Sequence, residues 1–245
     1  MARERLDKML AGRGAGTRRE AAARIRAGLV TVNGAPCRDP ACKVDPDSDQ
    51  ICVDGIALRT RRERYFMMNK PAGVISATED AKQQTVLSLL PEAERRGLAP
   101  VGRLDKDTVG LILLTDDGAL NHALTSPRRH VDKQYRALVS GHLDAEAPAR
   151  FAAGLKLADG TVCRPAGLTI GECREDGLTE VLVTLQEGRY HQVKRMIAAV
   201  GGHVEVLERL SMGPLRLDGK LARGQYRALT EDEISELFRA VSAPE

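Results

Sequence analysis

The chain has 245 residues, enough for one large or two modest domains, and 42% of them are hydrophobic, enough for a packed core. With no Trp, 3 Phe and 4 Tyr, the composition argues against a nucleic-acid platform made of rows of stacked aromatics. The longest aliphatic run, Val109 to Leu114, is far shorter than the roughly 18 to 20 residues of a membrane span. The opening MARERLDKML is charged and amphipathic, without the apolar centre of a secretory signal, so a cytoplasmic protein with no membrane attachment is expected. Five cysteines (Cys37, Cys42, Cys52, Cys163, Cys173) show no C-x-x-C pair and no histidine at ligand spacing, so neither a disulfide framework nor a metal site is expected. The net charge of +3 conceals an asymmetry. Residues 1–64 hold 14 basic and 9 acidic side chains and the remainder 23 basic and 25 acidic, which places the positive charge in an N-terminal module suited to a polyanion.

Residues 3–28 read as two short helices: Leu6, Met9 and Leu10 follow helical spacing, Thr17-Arg-Arg-Glu20 has the form of a capping box, and Gly28 ends the second helix. Residues 29–32 and 50–53 read as strands, with turns at Asn33-Gly34 and Asp54-Gly55. Residues 1–60 are thus expected to form a small helix-plus-hairpin module. Arg3, Arg5, Lys8, Arg13, Arg18, Arg19, Arg24 and Arg26 are assigned to its two helices, a density that suits RNA phosphates, although ordinary surface charge also accounts for it. Residues 59–64 read as a linker, and residues 61–245 as a second, larger domain. Its expected strands are 65–69, 110–115, 135–140 and 179–185; its expected helices are 147–155, 190–200 and 231–241, the last opened by the capping pattern Thr230-Glu-Asp-Glu233. Strands dominate and helices are irregularly interspersed, so the fold class is α+β with a mixed, largely antiparallel sheet.

Several apparent motifs carry no chemistry. Asp45, Asp47 and Asp49 match the opening of a calcium loop, but Gln50 and Ile56 stand where the glycine and the bidentate glutamate belong, so the segment reads as a turn. The histidines are scattered, and no serine sits in a nucleophile elbow. Two other segments combine reactive side chains with apolar walls. In Gly102-Arg-Leu-Asp-Lys-Asp-Thr-Val-Gly110, a loop carboxylate leads into a buried strand, and Asp105 is a candidate nucleophile or base as well as a candidate turn residue. Asp107, two residues on, projects to the same side if the segment is extended. In 187–196, Val193 and Met196, continued by Ile197 and Val200, mark one buried helical face, bordered by Lys194 and Arg195. A cation there could reach a partly buried carboxylate, and both also read as solvated charges.

Taken together these segments resemble the pseudouridine synthases, in particular the RsuA family of rRNA-modifying enzymes. The resemblance covers essentially the whole chain: residues 1–60 are similar to the RNA-binding domain of the fourth small-subunit ribosomal protein, Tyr65 to Gly73 to the family's opening strand, Gly102-Arg-Leu-Asp105 to the motif of the catalytic aspartate, Lys133-Gln-Tyr135 to that of the active-site tyrosine, and Gly188-Arg-Tyr-His-Gln-Val-Lys194 to that of the basic partner. It implies a catalytic domain of pseudouridine synthase type, with Asp105, Tyr135 and Lys194 as catalytic residues and Arg103, Val193, His191 and Arg189 against the substrate. Lys194 would lie beside Asp105 and offset the rise in pKa that burial causes. Tyr135 would stack on uracil, Val193 would form an apolar wall, and Arg103 would fill the gap left by the flipped base. Arg3, Arg5, Lys8, Arg18, Arg19, Arg24 and Arg26 would bind RNA.

The implied reaction breaks the bond from the ribose anomeric carbon to uracil N1 and rejoins the base through C5. No electrons are gained or lost, so no cofactor is expected. The resemblance leaves Asp105 as either nucleophile or base. It points to 16S rRNA, at uridine 516, as naked RNA or within an assembling small-subunit particle, with the protein acting as a monomer. The alternatives are the same chemistry on 23S rRNA, or a noncatalytic RNA-binding assembly protein, which leaves residues 61–245 unexplained.

Overall fold

The Thr17 hydroxyl accepts the Glu20 amide and the Glu20 carboxylate accepts the Thr17 amide, the reciprocal capping that the sequence pattern implies. This computed structural model describes residues 3–13, 15–46, 48–58 and 63–242. The backbone divides into two compact units, Met1–Glu63 and Arg64–Glu245. The first runs β1 (Glu4–Arg5), α1 (Leu6–Gly12), α2 (Arg18–Arg26), β2 (Val30–Val32), β3 (Ala35–Pro36), β4 (Lys43–Val44), β5 (Ile51–Val53) and β6 (Ile56–Leu58). Strands β3, β2, β5 and β6 pair in that order, and β1 pairs with β4. Asn33-Gly34 and Asp54-Gly55 all take positive φ, as tight hairpin turns between right-twisted strands require. Leu6, Met9, Leu10, Ala21, Ile25, Val30, Val44 and Ile51 form the buried core.

Several expectations for this unit are corrected in detail. Arg5 belongs to β1 and Arg3 precedes it, so neither lies on a helix. The acidic segment at 45–49 is a turn closed by Asp49, whose carboxylate accepts the Asp45 amide and the Asn33 side chain; Asp47 lies outside the described residues. The expected linker falls partly outside them as well, at 59–62, but Arg64 is anchored: its amide and guanidinium bind Asp116, and it donates to the carbonyls of Glu94 and Arg96.

The second unit contains β7 (Tyr65–Lys70), α3 (Glu92–Arg95), β8 (Ala99–Pro100), β9 (Val109–Thr115), α4 (Gly118–Thr125), β10 (Lys133–Gly141), α5 (Ala147–Ala153), β11 (Gly167–Cys173), β12 (Thr179–Leu185), α6 (Gln192–Ala198), β13 (Gly202–Met212), β14 (Leu215–Arg216), β15 (Tyr226–Ala228) and α7 (Glu231–Ser242). Its nine-stranded sheet follows the path β11-β12-β10-β13-β9-β7-β15, with β14 paired to β13 and β8 to β9. Among the described strands only β13 and β9 pair in parallel, so the sheet is mixed and largely antiparallel. Every residue of β9 is buried because alternate side chains feed two cores: Ile112 and Leu114 join Phe151, Val193, Met196 and Ile197 on one face, while Leu111 and Leu113 join Leu120, Leu124, Leu237 and Val241 on the other. No helix among the described residues is long and apolar enough to cross a membrane. The expected helix 190–200 starts later, at Gln192, because His191 takes a left-handed conformation with φ of 47°.

The short parallel contact between β9 and β13 brings two backbones unusually close. A Cβ on Gly110 would stand 2.3 Å from the Arg209 carbonyl oxygen and 2.9 Å from its amide nitrogen, and φ there is +100°. Gly110→Ala is therefore expected to cost about 2 to 5 kcal/mol through forced displacement and backbone strain. Gly118→Ala, at the start of α4 with nothing within 4 Å, is expected to be neutral or stabilising. Denaturant unfolding checks both, and wild-type stability in Gly110→Ala would contradict the close approach.

Candidate active site

Lys70 ends β7 fully buried, where its ammonium donates to the carbonyls of Pro71, Asp105, Lys106 and Thr108 at 2.8–3.3 Å. Burial pushes its pKa down to about 8, so the side chain still carries its charge through most of the neutral range. The same loop is pinned from its other side. The Ser76 hydroxyl donates to the Leu104 carbonyl and accepts its amide, both at 2.9 Å, while the Gly73 amide donates to Lys106 O. Leu104 is buried as an apolar anchor. Asp105 is thus presented by backbone that two strand ends and a serine hold in place.

Asp105 lines a cavity of about 340 Å³ with Tyr135, Val193, Leu207 and Met212 as its apolar walls, toward the small end of ligand-site volumes. The structure brings Asp105, Tyr135, Val193, His191, Arg189 and Arg103 to this one cavity, with Arg103, Arg189 and Tyr190 exposed and Tyr135 and Val193 buried. His191 Nε2 lies 3.5 Å from Asp105 Oδ1, and the His191 ring stacks on Tyr190 with centroids 3.9 Å apart. The other lining carboxylate, Glu187, is committed to the Arg164 amide, Arg189 and Gln192. That network holds Arg189 against the protein and leaves Asp105 as the carboxylate available to a bound molecule.

The expected pairing of Lys194 with Asp105 is corrected. Lys194 Nζ donates to both oxygens of Asp107, at 2.6 and 2.7 Å, and Lys194 is not among the cavity-lining residues. The cause is local: the Thr108 amide donates back to Asp105 O, so the loop turns instead of running extended, and the two carboxylates part. Asp105 faces the cavity while the Asp107 side chain remains largely exposed. The sequence also offered no role for Lys70, Thr108, Lys133 or Arg209, all of which hold or line the site. The one available signal was position: Lys70 ends a strand whose middle is the apolar Met67-Met68 pair, and Arg209, with Glu208, stands between Leu207 and Leu210.

In the N-terminal unit, Arg3, Lys8, Arg18, Arg19, Arg24 and Arg26 are exposed. Arg5 and Arg18 are engaged by the buried Asp7 carboxylate, whose pKa the Arg5 and Arg18 hydrogen bonds hold far below the usual range. Two of the expected RNA contacts are therefore also structural ion pairs.

The hydrogen bond from Lys194, opposed by partial burial, holds the Asp107 carboxyl below its ordinary range. Lys194→Met is expected to move the Asp107 titration upward, toward about pH 4. A group with a depressed folded pKa contributes stability above its unfolded pKa and loses it as pH falls, so wild type should shed this contribution below about pH 4 and the variant should not. Carboxyl NMR through an acid titration checks the pair, and an unchanged Asp107 curve in Lys194→Met would contradict it.

Residues 64–199 match the model for RNA pseudouridylate synthase, and residues 4–51 match the S4 domain. The chain is 46% identical to an uncharacterized RNA pseudouridine synthase, YtzG, of Bacillus subtilis (strain 168), over 94% of this chain and 96% of that protein. It is 42% identical to ribosomal small subunit pseudouridine synthase A of Escherichia coli (strain K12), over 94% of this chain and 98% of the relative. A solved pseudouridylate synthase matches with a TM-score of 0.66 and 36% identity, covering 96% of this chain and 99% of that one. With its cavity carboxylate, its N-terminal S4 domain and relatives matched along nearly their whole length, the chain belongs to the RNA pseudouridylate synthase family and is a pseudouridine synthase, an isomerase.

Proposed function

We propose that this enzyme isomerises uridine to pseudouridine in ribosomal RNA of the small subunit, with uridine 516 of 16S rRNA as its target, in the cytoplasm and during particle assembly. The observation that carries the reading is the presentation of Asp105, on a pinned loop, into a cavity walled by Tyr135 and Val193. The small-subunit assignment is supported by the name of the Escherichia coli relative. A uridine inside a stack cannot be turned, so it must first leave it, at a cost of a few kcal/mol that is least in loops and mismatches. The exposed Arg103 at the cavity offers a planar guanidinium to occupy the vacated stack. Tyr135 lines the same cavity as Asp105 and offers an aromatic ring for contact with the uracil face.

Asp105 acts at the sugar, either by adding to the anomeric carbon or by removing a proton from the ribose, and both routes require its charged form. His191, with Nε2 3.5 Å from Asp105 Oδ1, sets a polar side chain beside that carboxylate. Lys194 acts at one remove, by holding Asp107 and with it the loop that carries Asp105. The S4 domain supplies the phosphate contacts through Arg3, Lys8, Arg19, Arg24 and Arg26, with Arg5 and Arg18 shared between phosphate and Asp7. Such contacts position RNA and leave the choice of base to the cavity.

Asp105→Asn keeps the shape of the side chain and removes its charge, so tritium release from uracil C5 of labelled rRNA is expected to fall on the order of 10⁴-fold or more. Asp107→Asn should retain a substantial part of the activity, because Asp107 is exposed and outside the cavity. RNA binding should persist in both, since neither change removes a cation. An active Asp105→Asn beside an inactive Asp107→Asn would reverse the assignment.

A further inference from the structure

Two buried side-chain polar atoms among the described residues have no hydrogen-bond partner, Thr108 Oγ1 and Arg209 Nη2, and both residues line the cavity that holds Asp105. Native folds leave few such atoms, and here two of them belong to residues lining one cavity, where a bound molecule can engage them. Arg209 is 1% exposed. Its Nε donates to Leu111 O at 2.7 Å, and its backbone is fixed between Tyr135 on β10 and Gly110 on β9. Lys133 stands two residues before Tyr135 on the same buried face of β10, with its ammonium donating to Val131 O at 2.9 Å. Among the described residues neither cation forms an ion pair. Burial lowers the Lys133 pKa to about 8, with Arg209 adding to the effect. The cavity wall therefore holds two buried cations with no ion pair of their own, in the same cavity as the Asp105 carboxylate, and they are placed to stabilise negative charge that develops on a bound ligand.

The reaction supplies it. When the bond from C1′ to N1 breaks, its electron pair goes to N1 and spreads onto the O2 and O4 carbonyl oxygens. If Asp105 is the nucleophile, its oxygen forms the new bond to C1′; if it is the base, it takes the C2′ proton and a C1′–C2′ double bond forms. In both cases uracil separates as a monoanion and re-bonds to C1′ through C5, displacing the Asp105 oxygen in the first route or with the proton returned from Asp105 to C2′ in the second. The C5 proton is then released to solvent and N1 takes one up, so the product is an isomer of uridine. We propose that Arg209, with Lys133 beside it, is a catalytic residue that stabilises the uracil anion between cleavage and re-bonding. The proposal rests on the pseudouridine synthase reading and adds to it a residue outside the three sequence motifs. Fixed charge aimed at where charge develops is among the largest sources of rate enhancement, because nothing has to reorganise when the bond breaks.

Fluorine at uracil C5 withdraws electrons and makes the departing anion intrinsically more stable, so a residue that stabilises this anion matters less for 5-fluorouridine. Full-length wild type, Arg209→Gln and Arg209→Lys are compared in single turnovers on rRNA fragments containing uridine or 5-fluorouridine. The readout is loss of the parent nucleoside after nuclease digestion, because the fluorinated base re-bonded through C5 has no C5 proton to release and ends as an adduct hydrated at C6; thermal unfolding is recorded for each protein. Arg209→Gln is expected to lose roughly 10² to 10³-fold on uridine and about 10-fold less than that on 5-fluorouridine, with Arg209→Lys recovering part of the loss. If Arg209→Gln does not fold, Lys133→Met carries the same comparison with a smaller loss. Equal losses on the two substrates, as a purely structural role gives, would overturn the proposal, as would a wild-type rate in Arg209→Gln. Wild-type protein that converts neither substrate would overturn both the proposal and the reading beneath it.

Discussion

Lys70 ends its strand inside the protein, and one ammonium there gathers the carbonyls of Pro71, Asp105, Lys106 and Thr108. Loop backbone normally runs over the surface because its polar groups need partners. Here a buried cation satisfies three carbonyls of the loop at once, and charge assistance makes those bonds stronger than neutral ones. The cost is the desolvation of the ammonium, visible in its lowered pKa. A neutral apolar residue in its place would remove the charged donor from the Thr108 carbonyl, at about 1 to 3 kcal/mol if it is left unpaired, and would leave the Lys106 and Asp105 carbonyls to the Gly73 and Thr108 amides alone. The position of Asp105, and with it the chemistry, follows from this tether together with the Ser76 and Gly73 bonds on the other side of the loop.

The second constraint is the crossing of β9 and β13. Gly110 lets the two backbones touch, and the register this enforces sets adjacent residues of β13 on opposite faces of the sheet. Arg209 turns into the cavity. Glu208 turns away and is held at 2.5 and 2.7 Å by Arg136 and Arg223, which overcome the effect of burial and keep its carboxyl below the ordinary range. The charges around the site are thereby sorted: Asp107 is matched by Lys194 outside the cavity, Glu208 by two arginines across the sheet and Glu187 by Arg189, while Asp105, Arg209 and Lys133 line the cavity.

Elements whose information is local were legible in the sequence. Strand β12 was read at its observed bounds, β9 and β7 within a residue, and both capping boxes form as their spacing implies. The longest strand, β13, was not anticipated, because Glu205, Glu208 and Arg209 break its alternation and only partners on β10, β9 and the 223 loop explain why two of those charges are buried. Strand β11 is an edge strand with little burial, and α4 shows just two buried leucines, so neither carries a strong periodic signal. The loop motif identified Asp105, but which carboxylate Lys194 reaches depends on the turn closed by the Thr108 amide, a feature that spacing alone does not contain.

Asp105 is the uncommitted carboxylate of the cavity, and the enzyme is proposed to use it on a single uridine of small-subunit rRNA. Chemical mapping of every pseudouridine in 16S and 23S rRNA tests this assignment most directly, in cells lacking the gene and in the same cells carrying either wild type or the Asp105→Asn protein. The account predicts that one 16S pseudouridine disappears, returns with wild type and stays absent with the variant. An unchanged map, a lost site confined to 23S rRNA, or restoration by Asp105→Asn would contradict it.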